Sequence, residues 1–134
     1  MATLVSVGSS VPSNGNSPFS VNVADTPVRL AAFGIAVPNN PNRVFLNATI
    51  GIQATLLSPT LIFRVIRDNS EVIATVRQQV LITLNQNQNI SFHVVDTNVP
   101  PGYHGYSVTV AVEGLLGDAI VSGPVIFSGE SYTF

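Results

Sequence analysis

The side chains able to do chemistry in this sequence are few: two histidines, seven carboxylates and three tyrosines, with no cysteine and no tryptophan. His93, His104 and Asp96 could together make an acid–base or metal site. His93 and Asp96, however, are three apart on an extended segment and so point to opposite faces, while His104 sits in a Pro-Gly turn. Both histidines therefore read as surface or interface residues. The acids (Asp25, Asp68, Glu71, Asp96, Glu113, Asp118, Glu130) are scattered and mostly sit beside turns, with no strand-borne pair of the kind glycoside hydrolysis uses. Asp68 and Asp96 read as turn formers, and Asp68-Asn69-Ser70-Glu71 is too short for a calcium loop. No serine lies in a Gly-x-Ser-x-Gly elbow, and no glycine loop could cradle a phosphate. Asn47-Ala48-Thr49 and Asn89-Ile90-Ser91 match the glycosylation triplet, which acts only in a secretory host. Tyr103, Tyr106 and Tyr132 could stack on a sugar. The residues predict no catalytic group, no cofactor and no metal, and hence no enzyme.

The elements that would hold these residues are strands. Val, Ile, Thr and Phe dominate, and Pro or Gly interrupts the 134-residue chain about every ten residues, as in a sandwich or barrel. Strands are predicted at 19–24, 28–37, 43–57, 60–67, 71–76, 89–95, 103–113 and 119–134, the fifth continuing or bending within 77–84. The segment 43–57 alternates most clearly: Val44, Leu46, Ala48, Ile50 and Ile52 form one face, Phe45, Asn47, Thr49, Gly51 and Gln53 the other. Asp68-Asn69-Ser70 predicts a hairpin, and Asn98-Val99-Pro100-Pro101-Gly102 a firm turn. The fold class is therefore all-β: an antiparallel, jelly-roll-like β-sandwich over 19–134, preceded by an extended N-terminal arm over 1–18.

That arm pairs a short apolar strand, Thr3, Leu4, Val5, Ser6 and Val7, with a flexible spacer marked by Gly8, Pro12, Gly15 and Pro18. The eleven spacer residues reach roughly 36 Å when extended. A lone apolar strand must satisfy its backbone somewhere. It either folds back onto its own sheet as an edge strand or docks onto a neighbouring subunit by strand addition, which builds filaments. In the second case Leu4 fills the acceptor pocket.

Composition agrees with assembly. Charged residues are 9% of the chain against an ordinary share of about 25%, and all five cations are arginine. A net charge of −2 gives nucleic acid no electrostatic handle. No apolar run reaches the length of a membrane helix, so no membrane insertion is expected. The first residues lack the basic start of a secretory signal. The expected partner is the chain itself, as a homo-oligomer.

The stretches 41–52, 63–68 and 95–102 resemble small exosporium and endospore-appendage proteins of Bacillus-type spore formers, and the body over 19–134 is similar in texture to TNF-like domains of exosporium glycoproteins. The resemblance implies a jelly-roll subunit of a pilus-like spore-surface fibre, joined by its N-terminal connector and stacked in trimeric layers. It also implies anchor proteins of the coat or exosporium as partners, and release by mother-cell lysis without a signal peptide. Appendage pilins of this type are cross-linked through connector cysteines. This chain has none, so its joint would be non-covalent. Two further readings stay open beside the fibre: a trimeric fibre-tip or lectin-like adhesin module, and a viral capsid or decoration jelly roll.

Overall fold

The computed structural model describes residues 2–56, 58–80, 86–114 and 118–134, and the described residues are organised by nine strands. They are β1 (Thr3–Ser13), β2 (Val21–Val23), β3 (Val28–Val37), β4 (Asn42–Leu56), β5 (Thr60–Arg67), β6 (Glu71–Gln79), β7 (Gln88–Thr97), β8 (Gly102–Val112) and β9 (Asp118–Thr133). One sheet runs β1-β9-β4-β7 and the other β3-β8-β5-β6, with every pairing antiparallel. β2 continues the edge position of β1 along β9: Ser13 lies opposite Val125, and Val21 opposite Val121. Counting β1 and β2 as one interrupted edge, each sheet has four positions, and the order is that of a jelly roll. The expected fold class is the observed one.

Alternation explains the layering. In β4, Val44, Leu46, Ala48, Ile50 and Ile52 are buried, and they meet Phe63, Val108, Val110 and Phe127 in one core. The hairpin predicted at 68–70 turns through Asp68 and Asn69, both at positive φ, with the Ser70 amide donating to the Arg67 carbonyl. At Gly123-Pro124, β9 bulges away from β4, so that Ile50 faces Val125 while Ile52 faces Val121. The first body strand shrinks from the expected 19–24 to Val21–Val23. The predicted continuation through 81–84 lies outside the described residues.

The arm departs from the expected strand-plus-spacer division. β1 runs through Ser13, so Gly8 and Pro12 belong to a strand while Gly15 and Pro18 lie in the loop before β2. Its ladder partner is β9 of the same chain, from Thr3 opposite Thr133 to Ser13 opposite Val125. The reason is local fit. Gly8 sits directly opposite Gly129, and the Phe33 ring of β3 occupies the notch where either glycine's side chain would be. What composition suggests is a flexible glycine is a packing glycine.

Candidate functional site

The seam between the sheets on the β1 side is closed by hydroxyls. The unpaired edge of β3 offers the peptide of Ala36: its amide donates to Ser6 Oγ at 3.4 Å, and its carbonyl accepts from Ser131 Oγ at 2.6 Å. Ser131 is completely buried. The inward positions of β1 are thus Ser6, Gly8, Ser10 and Ser13, all small and only partly covered. Its outward positions include Leu4 and Val7, exposed to 51% and 64%. An ordinary sandwich strand is apolar inside and polar outside. β1 has the opposite polarity.

The apolar character continues across the sheet. Register sets Leu4 beside Tyr132 and Tyr132 beside Arg43; the next outward row is Val7, Glu130, Phe45 and Val95. The Phe45 and Tyr132 rings meet edge to face at 5.4 Å between centroids. The Arg43 guanidinium lies over the Phe134 ring at 4.7 Å, and the Tyr132 hydroxyl donates to Glu130 Oε2 at 2.7 Å. That bond is the main reason the Tyr132 phenol is held above its ordinary pKa. A shallow hollow of about 460 Å³ lies between Ala2, Arg43, Phe45, Glu130, Tyr132 and Phe134.

Each strand carrying this face is pinned by a polar side chain pointing the other way. Next to Arg43, the buried Asn42 amide donates to the carbonyls of Pro38 and Val99 at 2.8 Å each, and its Oδ1 accepts from the Val99 amide at 2.9 Å. Next to Val95, Asp96 Oδ2 accepts from Arg67 Nη1 at 2.6 Å and from the Tyr106 hydroxyl at 2.8 Å, bridging the two sheets. Burial pushes the Tyr106 phenol strongly up, and the Asp96 carboxylate adds to it. Burial opposes the Arg67 charge, but the bond to Asp96, the charge of that carboxylate and the nearby Tyr106 together outweigh it and raise the guanidinium pKa. Asp96 is therefore a buried cross-sheet anchor and not the turn former expected, because β7 continues to Thr97 and its parity turns position 96 inward.

The remaining predicted chemistry is dispersed. His93 lies on the outer face opposite Asn47. His104, expected at the surface or in an interface, is largely covered within its own chain. One ring nitrogen, Nδ1, meets Asp68 Oδ2 at 2.6 Å, and Nε2 meets the Pro100 carbonyl at 2.6 Å. Asp68 Oδ1 also accepts from the Gly105 amide at 3.0 Å. Slight burial would raise the Asp68 pKa; the bonds from His104 and Gly105 overcome it and hold the carboxyl below its ordinary value. Tyr106 is buried, Tyr103 is exposed on the other sheet and Tyr132 is on this one, so the three tyrosines form no common sugar platform. Among the described residues no three His, Asp or Glu side chains converge as metal ligands.

No protein-family profile and no curated protein matches the chain. Solved structures do. The fold is similar to a chain from the infectious bursal disease virus Gt strain, with TM-score 0.56 and 9% identity over 95% of this chain and 37% of that one. A VP2 variant of the same virus, in derived T=1 particles, gives 0.49 and 10% over 95% and 35%. A carbohydrate-binding module in complex with β-1,4-galactotriose gives 0.43 and 13% over 94% and 86%. The chain spans little more than a third of the two viral chains. At these identities the likeness to the first is one of fold.

The sequence pointed to Thr3, Leu4, Val5, Ser6 and Val7 as a docking strand, of which Leu4 and Val7 lie on this outward face. It did not point to Phe45, Val95 and Glu130, which share that face, and read Tyr132 only as a residue that could stack on a sugar. Yet the period-two pattern of 43–57 already placed Phe45 opposite the core-facing set. What was lacking was the strand order that lines these residues up.

Proposed function

We propose that this chain is a structural subunit that assembles with copies of itself, and that β1 carries the contact. The observation behind this reading is the inverted polarity of β1: Leu4 and Val7 face water while Ser6, Gly8 and Ser10 face the sandwich. A folded monomer gains nothing from that arrangement. Covering Leu4 and Val7 in a contact would contribute about 2 kcal/mol each.

The way β1 is built favours contact through its face over further strand addition at its free edge. Register slips between Leu4 and Ser6 and between Ser10 and Ser13, and Pro12 in the second slip, twist the edge and remove a donor. The dispersed tyrosines make a sugar site the weaker reading. A fibre form of the assembly, and its place on a spore surface, are proposals resting on the resemblance of 41–52, 63–68 and 95–102.

The test is the mass of the intact protein by light scattering across a concentration series, beside the double variant Leu4→Ser, Val7→Ser. The intact protein is expected to form assemblies, and the variant to remain a folded monomer. Assemblies of undiminished size in the variant would remove β1 from the contact.

A further inference from the structure

We infer that two copies of this chain pair face to face across the outer surface of β1, β9, β4 and β7, about a two-fold axis that exchanges Arg43 and Glu130. The inference rests on the self-assembly reading and adds the surface, the partner and the symmetry.

The register carries the geometry. Strands in a sheet lie about 4.8 Å apart, and successive residues on one face about 6.8 Å apart along a strand. With Leu4 beside Tyr132 in one row and Phe45 beside Val95 in the next, Leu4, Tyr132, Phe45 and Val95 fall along one diagonal of the sheet. Arg43 and Glu130 occupy the opposite diagonal, one on each side of that line. A two-fold axis laid along the apolar diagonal sets each of its four side chains near its own copy. The same rotation carries Arg43 over the partner's Glu130 and Glu130 over the partner's Arg43. Such self-complementarity is the mark of an isologous contact, and the strands then cross in the orthogonal class of sheet packing.

Charge selects a second copy as the occupant. Arg43 has no carboxylate partner among the described residues, and Glu130 holds only the Tyr132 hydroxyl. In the four outward rows from Arg43 to Thr49 these are the only Asp, Glu, Arg or Lys side chains on described strands, with Tyr132 and His93 the other titratable side chains. A standard contact covers about 800 Å² per partner, an area larger than the apolar diagonal. The rows beyond supply an uncharged rim of Ser9, Ser128, Asn47 and Thr49, in keeping with a charge-poor interface.

The experiment uses the full chain and two single variants, Arg43→Glu and Glu130→Arg, each first checked for an unchanged far-ultraviolet dichroism spectrum. In either variant alone the exchanged positions become like-charged, and self-association is expected to weaken at least tenfold by sedimentation. Mixed one to one, the two variants restore both ion pairs and are expected to form heterodimers with an affinity within about threefold of the unaltered protein. Assemblies of the unaltered protein that persist in both variants, or variants that dissociate but fail to associate when mixed, overturn this surface and leave self-assembly standing. An unaltered protein that stays monomeric at every concentration overturns the self-assembly reading itself.

Discussion

The inward-facing polar residues beneath the proposed contact show how single side chains hold a surface in shape. Asp96 receives the Arg67 guanidinium and the Tyr106 hydroxyl, and among the described residues every buried side-chain polar atom has a partner. Asp96→Ala leaves a largely covered cation and a buried hydroxyl without their acceptor. That substitution is expected to destabilise the fold by about 3 kcal/mol in urea unfolding. Asp96→Asn keeps one acceptor oxygen and should cost roughly half as much. A loss below about 1 kcal/mol in the alanine variant would show that the cross-sheet bridge contributes little. The sequence concealed this residue because Asp96 stands next to Thr97-Asn98, where an acid ordinarily caps a turn. Its role follows only from Val44 lying opposite it across β7 and β4, which is a fact of pairing.

At the scale of the element, β4 was legible because burial on one face writes its own alternation into the chain, and the 68–70 hairpin because its two residues tolerate positive φ. β1 was legible only as far as Val7. Beyond it the inward positions are Gly8, Ser10 and Ser13, with the Phe33 ring filling the notch at Gly8, and such small residues look like linker when read locally. The interplay also decides whether β1 stays with its own chain. Ser9 and Ser128 lie opposite each other on the outward face, and a chain without native cysteine allows a clean pair there. Oxidised Ser9→Cys, Ser128→Cys protein is expected to run as a monomer on non-reducing gels, its disulfide closed within one chain. A ladder of covalent multimers would instead make β1 a strand exchanged between neighbours, the filament joint that the arm's reach allows.

At the scale of the molecule, the 9% charge content and the pattern of exposure tell one story. Of the eight large apolar side chains left most exposed among the described residues, four (Leu4, Val5, Val7 and Val11) belong to β1, so the apolar surface is concentrated at one edge and not scattered. If folded chains associate through that surface and unfolded chains do not, association is coupled to stability by mass action. The unfolding midpoint of the intact protein should then rise steadily with protein concentration. The Leu4→Ser, Val7→Ser variant should show a midpoint independent of concentration, matching the intact protein only at high dilution. The comparison separates two causes of an altered midpoint. A variant that merely loosened the sandwich would melt lower at every concentration, dilution included, since the core built on Leu46, Phe63, Val110 and Phe127 is the same in both proteins. A midpoint of the intact protein that does not move over a hundredfold range of concentration, roughly 2.7 kcal/mol of mass-action leverage, would place its stability within the single chain and leave the exposed face of β1 without the partner argued for it.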